Sequence, residues 1–164
     1  MKILILVLLF LISVYIGYLF SRKYKTRDNF FKAIIYLCQK FDIEINYSRQ
    51  KMKSIFDSID EKYKKDLKGL DKNFLAFVDK EMSLDKESLF KNIGFLKEEE
   101  KDIIFNFFKS LGRSDVESQS KEIKNFLNRF EDFSLKASQE QKKYGSLSIK
   151  LGVAFGLMVI VLFI

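Results

Sequence analysis

Few side chains in this chain of 164 residues carry the chemistry of catalysis. Histidine is absent, which removes the commonest general base and the commonest metal ligand. The single cysteine, Cys38, follows Leu37 in an apolar helical pattern, so we interpret it as a small, semi-buried hydrophobe rather than a nucleophile. Since no Gly-Lys pair occurs, no P-loop can be written. We therefore predict a protein that is not an enzyme.

The acidic run Glu98–Glu100 is the remaining place where metal or acid chemistry is worth considering. Consecutive residues of a helix point in different directions, so the three carboxylates cannot converge on one ion. Negative charge is favoured at a helix N-terminus, which is the better explanation of this run. We predict no metal, no cofactor and no catalytic residue.

The composition favours helices throughout. Proline is absent and glycine is scarce, whereas Lys, Glu, Leu, Ile and Phe are abundant. With 18 Phe and no Trp, the core must be rich in Phe. The predicted fold class is all-α, a cytoplasmic bundle of about six helices flanked by two transmembrane helices. The predicted domains are an N-terminal membrane helix over 1–21, the bundle over 22–143 and a C-terminal membrane helix over 144–164.

The N-terminal run Ile3–Phe20 is uncharged and 18 residues long. As a helix it measures about 27 Å, close to the roughly 30 Å hydrocarbon core of a bilayer. The alternative is a cleaved signal peptide, with Lys2 as its basic n-region. No A-x-A-like cleavage site ends the run, and basic residues follow it, so a retained transmembrane helix is favoured.

The C-terminal run Leu151–Ile164 is shorter, at about 21 Å, but becomes long enough when counted from Tyr144 with Lys150 snorkelling to the headgroups. Within it, Gly152 and Gly156 form a G-x-x-x-G motif that permits close approach of another helix. The alternative is that small residues are simply common in membrane helices. We predict membrane helix packing at these two positions.

Charge separates the chain ends from the middle. Residues 28–132 contain 20 Lys and Arg against 21 Asp and Glu, a balance of −1, although the whole chain carries +7. The excess flanks the apolar runs, at Arg22, Lys23, Lys25, Arg27, Lys136, Lys142, Lys143 and Lys150. This positive-inside pattern predicts a two-pass protein with a cytoplasmic centre, and it suits anionic lipid headgroups. Nucleic-acid binding is not expected, because the central domain has no basic excess.

Apolar periodicity predicts the helices of the bundle. We predict helices at Arg22–Tyr47, Met52–Tyr63, Leu67–Met82, Asp85–Asn92 and Lys97–Leu111, with a break at 48–50. In the LGRSD segment Gly112 closes one helix in a left-handed conformation, and Ser114 with Glu117 forms a capping box for the last helix. The apolar stripe of that helix is Val116, Ile123, Phe126, Leu127, Phe130, Phe133 and Ala137.

Short motifs in a fixed order resemble the stage III sporulation protein AB family over most of the chain. The matching residues are Leu111, Gly112, Asp115, Gln119, Lys121, Ile123, Gln141, Lys142, Leu151, Gly152, Val153 and Gly156, with Glu44, Ile45 and Tyr47 upstream. Two departures are Lys150, where the family usually has Ser, and Ser48, where it has Gly followed by a Pro-Leu.

The resemblance implies a protein of the mother cell in an endospore-forming bacterium. It implies residence in the outer forespore membrane, within the complex that connects mother cell and forespore. It also implies a cytoplasmic domain similar to the platform protein of type II secretion and type IV pilus systems. The partners implied are a secretion-type ATPase and other proteins of the channel complex.

The leading hypothesis is accordingly a platform that docks the ATPase. The candidate interface residues are Glu44, Tyr47, Gly112, Arg113, Asp115 and Gln119. Each also has a structural explanation, because Gly112 ends a helix and the polar side chains can hydrogen-bond between helices.

Two alternatives stay open. One is a membrane-tethered enzyme or a pore-lining transporter subunit, for which an oligomer would be needed, since Ser13, Tyr15 and Tyr18 are the only clearly polar residues of the first run. The other is a generic membrane-anchored scaffold. A homo-oligomer is compatible with all of them.

Overall fold

A computed structural model describes residues 2–47, 52–67, 70, 84–91, 93–112 and 115–163. Every regular element in these ranges is helical, which confirms the all-α prediction. The helices are α1 Lys2–Tyr47, α2 Met52–Asp57, α3 Glu61–Asp66, α4 Lys86–Phe90, α5 Glu98–Ser110, α6 Val116–Glu140, a π-helical segment Gln141–Gly145, and α7 Ser146–Phe163. The predicted break at 48–50 and most of the predicted helix Leu67–Met82 lie outside the described residues.

The chain divides into two compact units. Residues 1–28 and 136–164 form the first, which we call the hairpin unit, and residues 29–135 form the second, which we call the bundle unit. Helices α1 and α6 each contribute residues to both.

The hairpin unit exposes its apolar side chains. Leu4 is 71% exposed and Val161 is 78% exposed, at the two ends of the chain. The helical segments Leu4–Asn46 and Val116–Phe163 each contain a stretch long and apolar enough to cross a membrane. Apolar surface of this extent fits contact with lipid rather than with water.

The bundle unit has a core of aromatic rings. Phe30, Phe31, Phe41, Phe107, Phe108 and Phe130 are all fully buried. The ring of Phe107 is central among them, with its centroid 5.5 Å from those of Phe126 and Phe130 and 6.1 Å from that of Phe41. These separations suit edge-to-face packing, so the contacts add to the hydrophobic gain from burial.

Most of the predicted apolar positions are buried, and one is not. Along α6 the residues Ile123, Phe130, Phe133 and Ala137 are buried and Phe126 and Leu127 half-buried, as the stripe predicts. Val116, by contrast, is 40% exposed. It is the first residue of α6, so no preceding helical turn covers its side chain.

Side-chain caps begin α4 and α5. The Asp85 carboxylate accepts a hydrogen bond from the Ser88 amide at 3.0 Å at the start of α4. At the start of α5 the Glu100 carboxylate accepts from the Lys97 amide at 2.8 Å. Glu98–Glu100 therefore form the first turn of α5 and serve the helix N-terminus, in line with the sequence-based interpretation.

The long C-terminal helix contains one irregularity that the sequence did not predict. Between α6 and α7 the segment Gln141–Gly145 follows π-helical rather than α-helical bonding. In a π-segment the backbone hydrogen bonds span five residues and not four. Such segments are frequently found at functional sites.

Candidate functional site

The turn between α5 and α6 brings together three of the predicted interface residues. Gly112 has a φ of 77°, the left-handed conformation expected of a helix-ending glycine. Its amide donates a hydrogen bond to the Gln119 side-chain oxygen at 2.8 Å. Gln119 is only 2% exposed. The side chain from the first turns of α6 thus secures the turn that precedes it.

Asp115 begins α6. Its carboxylate accepts a hydrogen bond from the Ser118 amide at 3.1 Å, which is the geometry of an N-cap. This hydrogen bond lowers the pKa of Asp115, because it favours the ionised carboxylate. The predicted cap, Ser114, and the candidate Arg113 lie outside the described residues.

Glu44 lies on the part of α1 that belongs to the bundle unit. Among the described residues, neither its Oε2 atom nor the Nε2 atom of Gln119 has a hydrogen-bond partner, although both atoms are buried. One is an acceptor and the other a donor, and unsatisfied buried groups of this kind are rare. Tyr47 is the last residue of α1. We call Gly112, Asp115 and Gln119 the turn cluster.

Direct bonds join α1 to α6 beside the turn cluster. Ser120 donates a hydrogen bond to the Asp42 carboxylate, and the Asn46 side-chain amide donates to the Ser120 hydroxyl at 3.2 Å. One turn further along, the Cys38 thiol lies 3.8 Å from the Ile123 carbonyl. This pairing fixes the register of the two helices within the bundle unit.

Cys38 is fully buried, more so than the semi-buried position expected from sequence. Burial raises the pKa of its thiol strongly, and the nearby Asp42 carboxylate adds to the effect. A thiol with a raised pKa is a poor nucleophile, since the thiolate is the reactive form. In the described part of the chain, no group of three or more Cys, Asp or Glu side chains is placed to hold a metal ion.

Within the hairpin unit, α1 and α7 touch at positions where side chains are missing. A Cβ atom at Gly17 would lie 2.6 Å from the Ser148 carbonyl oxygen, and one at Gly152 would lie 2.9 Å from the Ser13 carbonyl oxygen. At Gly156 it would lie 2.6 Å from the Phe10 ring. A larger residue would push the backbones apart at Gly17 and Gly152, and at Gly156 it would displace the Phe10 ring.

A hydrogen bond reinforces this contact. The Ser13 hydroxyl donates to the Gly152 carbonyl at 2.7 Å. We call Ser13, Gly17, Gly152 and Gly156 the small-residue ladder. The G-x-x-x-G motif packs here against α1 of the same chain, with Gly17 and Ser13 as its counterpart. Those two residues were not predicted, because a single Gly in an apolar run has no distinctive spacing of its own.

Polar and aromatic pairs continue the contact beyond the ladder. Tyr24 and Tyr144 have ring centroids 5.8 Å apart. Further on, Arg27 forms an ion pair with Glu140, and the Arg27 side chain is only 5% exposed. Aromatic rings with polar tips suit the interface between hydrocarbon and water.

Comparison with known proteins identifies a family. The model of the stage III sporulation protein AB family matches residues 2–164. No curated protein and no solved structure matches the chain.

Proposed function

Because the chain belongs to the stage III sporulation protein AB family and is thus a sporulation protein, we propose that it is a membrane platform without enzymatic activity. In this proposal its bundle unit lies in the cytoplasm of the mother cell, at the outer forespore membrane, and docks a secretion-type ATPase. Other members of the mother cell–forespore channel complex are its further partners.

The turn cluster is the observation that carries the docking proposal. It collects three of the residues that match the family's motifs, and hydrogen bonds hold them around one turn. Gln119 is buried and holds the turn from inside, whereas Gly112 and Asp115 are exposed. The exposed side of the turn is therefore the surface that a partner can contact.

The Asp115 carboxylate adds a charge that a partner can recognise. Asp115 is exposed, so its outward lone pairs remain accessible while one oxygen caps α6. The chain has two helices that are long and apolar enough to cross a membrane, and in this proposal they anchor it to the membrane. The combination suits a stationary platform that positions a soluble partner.

Binding of the full-length chain to the ATPase tests this proposal. We would immobilise the chain in a neutral detergent and measure ATPase binding for the natural chain and for Asp115→Asn. Asparagine is as good an N-cap as aspartate, so this change removes the charge and keeps α6 capped. We expect at least a tenfold loss of affinity with a smaller change in melting temperature than Asp115→Ala causes.

Asp85→Asn is the matched control. Asp85 caps α4 in the same way, through the Ser88 amide, and its position is also exposed. Equal losses for both variants would indicate a general charge effect and not a docking surface. If the well-folded natural chain shows no binding at micromolar concentration, the platform proposal is wrong and a membrane-anchored scaffold becomes the better explanation.

A further inference from the structure

We propose that the hairpin unit holds one anionic phospholipid, with an acyl chain in a groove between α1 and α7 and the phosphate against Lys23 and Lys143. This inference is independent of ATPase docking. It rests on a groove, on cations that have no acidic partner among the described residues, and on the continuity between the groove and these cations.

The groove has a volume of about 740 Å³ and an almost entirely apolar lining. It runs beside the small-residue ladder, because the close backbone contact leaves a trough between the larger side chains on either flank. The side chains that form its walls include Leu9, Ile12, Phe20, Leu151, Phe155 and Met158. On α1 these residues recur at helical spacing and so follow a single stripe along the helix.

The stripe leads from the groove to the basic residues. Phe20 lines the groove, and Lys23 lies three residues later on the same face of α1. On the other helix Ser148 lines the groove, and its hydroxyl donates to the Tyr144 carbonyl at 2.7 Å, one turn back. The Lys143 ammonium lies 5.2 Å from the centre of the Tyr144 ring.

These cations have no acidic partners within the described residues. Lys23, Lys25, Lys142 and Lys143 are all exposed, and none forms an ion pair with another residue that the structure describes. The hairpin unit contains only two acidic residues, Asp28 and Glu140, and Glu140 is paired with Arg27. A phosphate from outside the chain is therefore the natural counter-charge at this level.

A phospholipid satisfies both features, whereas other occupants satisfy only one. A second copy of the chain would fill an apolar groove but would bring a second set of unpaired cations to the same level, at a cost in repulsion. A free phosphate ester would meet the cations but leave the groove open. Only an anionic lipid supplies an acyl chain and a negative headgroup on one molecule.

Native mass spectrometry of the full-length chain, released from a neutral detergent, tests the inference. The probes are phosphatidylglycerol, phosphatidylcholine with the same acyl chains, and glycerol 3-phosphate. We expect one phosphatidylglycerol per chain, at least tenfold weaker binding of phosphatidylcholine, and no binding of glycerol 3-phosphate. Equal retention of the two lipids, or binding of glycerol 3-phosphate alone, would overturn the proposal.

Two pairs of variants locate the lipid. Lys23→Gln with Lys143→Gln should lower phosphatidylglycerol binding at least tenfold, whereas Lys25→Gln with Lys142→Gln removes the same charge and should have less than a threefold effect. For the groove, Ile12→Trp fills the trough and should block binding, whereas Leu11→Trp lies on exposed surface outside it and should not.

Circular dichroism of each variant must match that of the natural chain before the comparison counts. If both lysine pairs lower binding equally, the interaction is diffuse attraction and no built site exists. If lipid-free chain forms dimers that Ile12→Trp abolishes, the groove binds a second copy and the lipid proposal is wrong.

Discussion

The two units of this protein are both helical, but the helices within each unit pack in opposite ways. In the bundle unit large Phe rings fill the space between helices, and six of them are fully buried. In the hairpin unit the helices meet where side chains are absent, at Gly17, Gly152 and Gly156. Moving apolar rings out of water lowers the free energy, whereas moving them out of lipid does not. Helices in lipid therefore depend on close backbone contact and hydrogen bonds.

The division of charge follows the same boundary. The hairpin unit carries nine basic and two acidic residues and thus the entire net charge of +7. The bundle unit carries 20 of each sign and is neutral. The basic composition of the whole chain therefore reflects the hairpin unit and does not indicate a basic surface on the bundle unit.

Removal of one core ring should cause the largest loss of stability. Phe107→Ala takes away a fully buried ring that contacts four other rings, so we expect a loss of about 3–5 kcal/mol in the free energy of unfolding of the bundle unit. Phe163→Ala removes the same side chain from an exposed position of α7 and should cost little. Thermal melting of the full chain, followed by circular dichroism, measures both. Equal shifts would remove the distinction between the two units.

A side chain added to the hairpin unit should have the next largest effect. Gly17→Val places atoms against the Ser148 carbonyl oxygen, and overpacking of this kind costs about 1–3 kcal/mol. Spin labels at Leu4→Cys and Val161→Cys, in a Cys38→Ser background, should report a longer and broader distance. Gly94→Val is the control, because a Cβ atom there meets nothing within 4 Å. An unchanged distance in Gly17→Val would contradict the ladder.

Loss of the α6 cap should have a smaller effect on the bundle unit. Asp115→Ala should lower the melting temperature by roughly 2–4 °C, while Asp115→Asn, which keeps the cap but not the charge, should lower it by less. Because the folded-state pKa of Asp115 is lowered, its contribution is present at neutral pH and is lost as the pH falls below its ordinary value of 3.8. The gap between the melting curves of Asp115→Ala and the natural chain should therefore narrow in acid. A gap as large at pH 2 as at neutral pH would mean that the carboxylate charge contributes nothing.

The prediction for Cys38 concerns the reactivity of its thiol and involves the smallest change in stability at neutral pH. Its buried thiol has a raised pKa, so the folded chain should react with iodoacetamide at least a hundredfold more slowly than the urea-unfolded chain at pH 8. Above the pKa of an unfolded thiol, about 8.5, the unfolded state loses its proton first, and stability should decline. Rapid labelling of the folded chain would show that this part of the core opens readily.

Periodicity predicted the helices well because apolar residues recur with the period of the helix that buries them. Phe30, Ile34, Leu37 and Phe41 on α1 are fully buried, as their spacing indicates. The prediction that Val116 packs with the apolar stripe was wrong, because periodicity carries no information about what covers the end of a helix.

The contacts between helices were harder to predict than the helices themselves. Gly112 could be assigned its left-handed turn from local sequence alone, because only glycine adopts that conformation without strain. The hydrogen bond from Gly112 to Gln119, and that from Ser13 to Gly152, depend on how distant elements are placed. Contacts of this kind produce no periodic pattern in a single sequence, so they cannot be predicted from it.

The π-helical segment Gln141–Gly145 has a consequence for how this chain tolerates changes in length. Glu140 faces Arg27 and Gly145 lies against Ser21, although in an α-helix of about 3.6 residues per turn two positions five apart do not share a face. The segment therefore takes up one surplus residue and keeps the two stretches of helix in phase. Deletion of Lys142 should convert it to ordinary α-helix with both contacts kept. The same deletion within α7 would rotate every residue of the ladder that follows it off its partner.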